Sequence, residues 1–376
     1  MDYKMVKLGT VISQAKNIRC GEHNYPVLSM TMHDGLIFQD DKFKKVIASA
    51  NHSEYKVVYR NQLVVSFPID EGVLAAQRIT DVGIVSPAYT IWDIDQAKIL
   101  PEFLEYALRC DRSINYYKAK LRGSTARRRS LPTPTLLEHT IPLPAIDAQR
   151  YILEIIHKSR NVLETRKIQL QKLDMLVRAR FVEMFGDPVL NEKGWKIVTV
   201  GDIVTEVRYG TSKPAVEGGK YPYLRMNNLT ADGHLDLKDL KYIDISEDEI
   251  EKCVVRKGDV LFNRTNSIEL VGKTAVFDLT EEMVIAGYII RVRLNKEMLP
   301  VVFSQYMNLE PLKVILRGMA KGAVNQANIN AQELQSIKVY IPDMKLQNQF
   351  ADFVQQIDKS KLQYHPHTHT CQPNTS

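Results

Sequence analysis

The chain has 376 residues, 44% hydrophobic and 25% charged, with a net charge of +6. That is ordinary globular composition, long enough for two or three domains that each bury a core. No apolar run approaches the ~20 residues of a membrane span and MDYKMVKLGT lacks a signal-peptide core, so a cytoplasmic protein is expected.

The charge is uneven. Residues 1–146 carry 19 basic and 15 acidic groups, whereas 186–344 carry 20 and 22, so overall basicity says little and local clusters matter more. The four cysteines, at 20, 110, 253 and 371, form no C-x-x-C pair and read as reduced packing residues.

The first element is a turn into a strand, YPVLSM at 25–30, and it recurs as YPYLRM at 221–226. Other pairs keep the same order: VKLG at 6–9 with VTVG at 198–201, HDGLI at 33–37 with ADGHL at 231–235, and YRNQLVVS at 59–66 with VRKGDVLF at 255–262. Leu100-Pro101 answers Leu299-Pro300, and IPLPAIDAQRYI at 141–152 lies over VYIPDMKLQNQF at 339–350, with Pro144 on Pro342 and Gln149 on Gln347. A preserved order with small drifts in offset describes a tandem duplication.

Within each copy, β-branched and aromatic runs at 55–67, 83–93, 254–262 and 284–294 predict strands, and helices are expected at 101–121 and 300–317. SEDEIE at 246–251 reads as a capping box, with Ser246 as N-cap and Glu249 as its partner.

From Asp147 to about Phe185 there is no proline or glycine before Gly186, and Ile152, Ile156, Leu163, Leu170, Leu173 and Val177 recur at helical spacings. This predicts a seam-bearing helix about 58 Å long. Leu346, Phe350, Phe353 and Ile357 repeat the pattern after the second proline, on a helix reaching only about Gln363, roughly 30 Å. The expected architecture is α+β: two similar mixed modules, 1–146 and 187–343, separated by helices at 147–186 and 344–363 that pair antiparallel as a coiled coil with pseudo-twofold symmetry. Residues 364–376 are expected to be a disordered tail. Its His365, His367, His369 and Cys371 are zinc-ligand types without a second cluster to close a site, so no metal is expected.

Two duplicated units closed by a proline-plus-glutamine hinge and a long helix resemble the specificity subunit of type I restriction-modification systems, over nearly the whole chain up to about residue 363. The resemblance implies two target recognition domains that each read half of a split double-stranded DNA sequence. It also implies docking to methyltransferase subunits, two of them, and to restriction subunits, with no catalytic site and no cofactor of its own. The short second helix departs from the family pattern and puts one docking surface in doubt.

Candidate DNA-binding residues follow two chemistries. Lys213, Arg225, Asn227 and Asn228 lie near one loop-strand junction; arginine and lysine suit guanine O6 and N7, and asparagine suits adenine. The other use of those amides is a turn satisfying its own backbone. Arg127, Arg128 and Arg129 in STARRRS, and Lys42, Lys44 and Lys45, suit phosphate contacts or simply a solvated surface. The counterpart of STARRRS, GAVNQANIN at 322–330, is amide-rich, so the half-sites should differ.

Enzymatic motifs fail on spacing. VGKT at 271–274 would need glycine where Ser267 stands to make a phosphate loop, and LFNRTN at 261–266 lacks the prolines and aromatic that hold a flipped adenine. The alternatives kept open are a coiled-coil protein scaffold without DNA readout and part of a fused methyltransferase or nuclease.

Overall fold

The computed structural model describes residues 3–42, 52–121, 131–322 and 326–364. The chain divides into two compact units, Met1–Leu163 and Glu164–Ser376, with the division inside a helix of 40 residues, Ile146–Phe185. Each unit is described by itself.

In the first unit a four-stranded antiparallel sheet takes the order Ile12–Gln14, Thr90–Ile94, Leu63–Val65, Leu74–Ala76. Lys56–Tyr59 pairs separately with Val82–Val85, and Lys4–Lys7 with Thr140–Leu143. The run at 55–67 is therefore two strands in different pairings. The chain turns between them at Asn61, whose φ is 69°, and the Tyr59 N–H donates to Gln62 Oε1 at 2.8 Å. Leu63, Trp92, Leu104, Leu108 and Tyr117 fill the core under this sheet.

The second unit repeats the arrangement. Its main sheet runs Val204–Tyr209, Ile289–Leu294, Val260–Asn263, Thr274–Val276, while Val254–Val255 pairs with Met283–Ile285 elsewhere. The hexapeptides occupy matching places: Val27 bridges Ile84 in parallel, and Tyr223 pairs in parallel with Val284. Val6 opposite Ile141 is answered by Val198 opposite Val339.

One part of the alignment needs correction. Asn61 corresponds to Gly258, with φ of 96°, and the Arg256 N–H donates to Asp259 Oδ2 as Tyr59 does to Gln62. YRNQLVVS therefore lies over VRKGDVLF slipped by one residue from the sequence match. Apolar runs with the same β-branched content on both faces do not specify a register; the turn does.

The expected helices at 101–121 and 300–317 are each two helices. Pro101–Arg109 and Asp111–Lys120 break at Cys110, and Pro300–Asn308 and Glu310–Met319 break at Leu309. Both break residues have extended backbone, with ψ of 158° and 143°, so the second helix turns to bury Tyr117 or Leu316. At the expected capping box, Ser246 precedes helix Glu247–Cys253, but its hydroxyl donates to Glu249 Oε2 at 3.0 Å and caps no backbone amide. The same Glu249 oxygen also accepts from Lys213.

The hinge glutamines explain the conserved spacing between the copies. Gln149 is fully buried; its Nε2 donates to the carbonyls of Pro144 (2.8 Å) and Lys98 (2.9 Å), and its Oε1 accepts from the Leu100 N–H at 2.8 Å. Gln347 does the same with Pro342 (2.9 Å), Glu297 (2.8 Å) and the Leu299 N–H (2.8 Å). One side chain thus ties the first turn of each helix to the loop before the helix pair of its own unit.

The long helix begins against the first unit, where Leu153 is buried in the core, Ile152 packs beside it and His157 Nε2 lies 2.8 Å from Glu102. Ile152 therefore seats a module rather than a helix seam. In the second unit, Val177, Phe181, Met184 and Phe185 pack with Phe350, Val354 and Ile357 of the 21-residue helix Met344–Tyr364. The Phe350 ring lies 5.4 Å from both Phe181 and Phe185, Arg180 covers Phe353, and Lys361 pairs with Asp174 at 2.6 Å. Rising numbers on one helix meet falling numbers on the other, so these segments run antiparallel. Leu173, Leu346 and Phe353 line the same cluster half-buried.

Three seam residues behave otherwise. Leu163 is 70% exposed, and Ile156 and Leu170 are only half-buried. Among the described residues the shorter helix meets the long one from Asp174 onward, while Phe181 and Phe185, beyond the expected stripe, supply ring contacts to Phe350.

Two measurements test this account. Gln347→Ala strands one N–H and two carbonyls in the interior, and urea denaturation should show a loss of roughly 3 kcal/mol. In the first unit, His139 is buried, stacked on Tyr116 at 4.4 Å, with Nε2 2.8 Å from Ser113 Oγ. Burial, helped by the Arg112 charge, pushes its pKa from 6.5 down to about 4. The unfolded chain then binds the extra proton, so stability is complete above pH 6.5 and falls as pH drops toward 4, by up to about 3 kcal/mol. His139→Gln should flatten that part of the stability-pH curve.

Candidate nucleic-acid interface

The loop-strand junction of the second unit brings the four expected readers near one another but spends most of them on the fold. Lys213 is paired with Glu249; that hydrogen bond raises the Lys213 pKa and lowers that of Glu249. Arg225 donates through Nη2 to both the carbonyl and the carboxylate of Asp239 at 2.8 Å. Asn228 is buried, accepting from the Arg225 N–H and donating to the Asp236 carbonyl, both at 2.8 Å. Its amide is a brace for the short helical turn Met226–Asn228. Asn227, on the same turn, is exposed. In sequence the two asparagines are indistinguishable; the direction of a single turn separates them.

Lys44, Lys45, Arg127, Arg128 and Arg129 lie outside the described residues, as do His365, His367, His369 and Cys371. Lys42 ends the short helix Gln39–Lys42.

Two further arginines of the second unit are tied into partly buried pairs. Arg291 is fully buried, bonded to the Val254 carbonyl and 3.0 Å from Glu206. Arg293 joins Glu206 (2.7 Å) to Asp259 (2.8 Å). Burial pulls Arg291 below the usual guanidinium range, aided by the Arg293 charge and opposed by Glu206 and Asp259. For Glu206 burial acts upward, but the hydrogen bond from Arg208 and the charges of Arg291 and Arg293 outweigh it and hold the carboxyl low.

The residues of VGKT are likewise internal. Lys273 Nζ donates to the carbonyls of Met226 and Leu229, and Thr274 Oγ1 to that of Gly272. Burial lowers the Lys273 pKa. Asp174, Asp232 and His234 turn ligand atoms toward one another within 4.8 Å, but the Lys361 ammonium stands there as the cation, 2.6 Å from Asp174 and 3.1 Å from His234 Nε2.

Sequence reasoning missed the segment after strand Val260–Asn263. Arg264 lies over the Tyr209 ring, its guanidinium carbon 4.9 Å from the centroid, with Tyr288 nearby in the backbone pairing and 48% exposed. Thr265–Asn266 pairs with Ala327–Asn328, and Thr265 Oγ1 donates to Asn328 Oδ1 at 2.9 Å. This edge is polar, aromatic and joined to the amide-rich segment. In sequence this segment is LFNRTN, which reads as an enzymatic motif that fails on spacing.

Comparison with known proteins fits this geometry. The family model described as the type I restriction modification DNA specificity domain matches residues 192–367. The chain is similar to the EcoKI type I restriction enzyme specificity subunit of Escherichia coli (strain K12), 26% identical over 233 residues, covering 58% of this chain and 50% of that protein. It thus spans about half the length of that relative. A chain in a structure titled for complex assembly and conformational transition of the type I R-M system superimposes with a TM-score of 0.58 at 18% identity, covering 97% of this chain and 92% of that one. The type I restriction-modification system S subunit from M. genitalium gives 0.50 at 15% identity, with 98% and 92% covered. At those identities the two structures show a shared fold.

Stability measurements separate the adjacent asparagines. Asn228→Ala should lower the unfolding free energy by about 2 kcal/mol, because a buried N–H and a buried carbonyl lose their partner, while Asn227→Ala should stay within about 0.5 kcal/mol of the parent.

Proposed function

We propose that this chain, a relative of the specificity subunits of type I restriction-modification systems, is the sequence-reading DNA-binding subunit of such a complex. The observation that carries the reading is the match of the specificity-domain model to residues 192–367, joined to a first unit that repeats the strand order of the second. Modules 1–146 and 187–343 each read one half of a bipartite duplex target. The helices act as an antiparallel coiled coil whose length sets the gap between the two half-sites.

The chain carries no chemistry of its own in this reading. Methyl transfer and cleavage belong to methyltransferase and restriction subunits docked on it, and the residues that imitate catalytic motifs are occupied in packing, as Lys273 and Thr274 illustrate. Arg127, Arg128 and Arg129, with Lys42, Lys44 and Lys45, contribute phosphate contacts that position the duplex without reading it. Asn227 is the member of the 213–228 group left free to face a base, whereas Lys213, Arg225 and Asn228 hold the junction in shape.

The test is methylome sequencing of cells with and without the gene, together with its methyltransferase partner. One split motif should vanish when the gene is removed, and equal competition by random duplexes in a salt-controlled binding assay would sink the proposal. Reversing Arg127, Arg128 and Arg129 to glutamate should weaken all duplexes alike and reduce the slope of log affinity against log salt by about three.

A further inference from the structure

Arg264 differs from every other arginine between residues 187 and 343. Arg208, Arg225, Arg256, Arg291, Arg293 and Arg317 are each paired with a carboxylate, and Arg264 has none among the described residues. It rests on Tyr209 instead; its Nη1 donates to the Gly287 carbonyl at 3.3 Å, and its Nε is buried without a hydrogen-bond partner. A guanidinium has five donors in a fixed fork, so most of this one is unspent. A partly desolvated cation without an acid is costly to keep in a fold, and stability alone does not account for it.

The backbone beneath it is held on both sides. The Arg264 N–H donates to the Tyr288 carbonyl and its own carbonyl accepts from the Ile329 N–H, both at 2.9 Å. Tyr209 is fixed in turn, its hydroxyl accepting from the Ala331 N–H at 2.8 Å. The side chain is therefore presented from a rigid edge rather than a loose loop.

The first unit has a residue at the same place. Ser66 N–H bonds the Val73 carbonyl as Asn263 N–H bonds that of Lys273, and Gly72 and Gly272 turn alike with φ of 75° and 78°, which sets Phe67 on Arg264. Phe67 is 47% exposed and stands edge-on to Tyr89 at 6.0 Å. One backbone position in the duplicated fold thus sets a side chain against a tyrosine in both units, with opposite chemistry.

Building on the DNA-reading role proposed above, we infer that positions 67 and 264 are base-contact positions of the two modules. Arg264 donates its fork to guanine O6 and N7, and Phe67 makes an apolar contact with a thymine methyl group. The split in chemistry makes the half-sites unlike one another.

The experiment is methylome sequencing and competition binding with the assembled methyltransferase complex carrying the parent chain, Arg264→Met, Arg264→Lys or Phe67→Ala. Arg264→Met keeps an apolar stem on Tyr209, and unfolding midpoints near the parent value establish that the variants fold. Arg264→Met should abolish a guanine requirement at one position of one half-site, with discrimination there falling roughly ten- to hundredfold, and leave the other half intact. Arg264→Lys should keep overall affinity yet lose the same discrimination, since a point charge lacks the fork. Phe67→Ala should relax the opposite half. If Arg264→Met leaves both halves unchanged, or weakens every duplex equally, the assignment falls while the split motif of the parent still upholds the DNA-reading role. If the parent complex has no split motif, role and assignment fall together.

Discussion

A single buried glutamine in each unit sets the relation between module and helix. Gln149 and Gln347 each satisfy two carbonyls and one N–H that the chain would otherwise leave unpaired where a proline-bearing strand gives way to a helix. Proline cannot donate at that junction, and an unpaired buried backbone group is expensive. An amide with both a donor and an acceptor at the right reach solves the problem from one position. The hinge therefore varies little between copies while the surrounding loops diverge.

That fixed frame lets the interiors specialise as well. The strand pairing that places Ile91 opposite Val64 in the first unit places Arg291 opposite Leu261 in the second. The first unit fills the position with aliphatic packing. The second fills it with a buried arginine whose partners, Glu206 and backbone carbonyls, must all be present for the charge to be tolerated. Such a network adds little net stability but fixes the relative placement of the strands it joins. In both units the same scaffold ends in an edge where the copies differ, Phe67 in one and Arg264 in the other.

The helices show the limits of a pattern read in one dimension. Apolar spacing from Ile152 to Val177 marked a helix, and a helix runs there. The spacing could not say what each apolar residue meets: Ile152 meets its own module, Leu163 meets solvent, and the densest packing lies at Phe181 and Phe185, past the stripe. A helix face is defined by what packs on it.

The sequence by itself determined the duplication, the two helices with their terminating prolines and glycine, and the hinge glutamines, because these rest on local chemistry and on order along the chain. Only the tertiary structure decided the register of the repeated strands, since a period of two hides a one-residue slip until a positive-φ turn pins it. It likewise decided which polar residues are free. Asn227 and Asn228 are the same letter, and Arg225 and Arg264 are too. Their roles diverge because Asn228 and Arg225 are tied into the junction, whereas Asn227 is exposed and Arg264 has no carboxylate partner among the described residues.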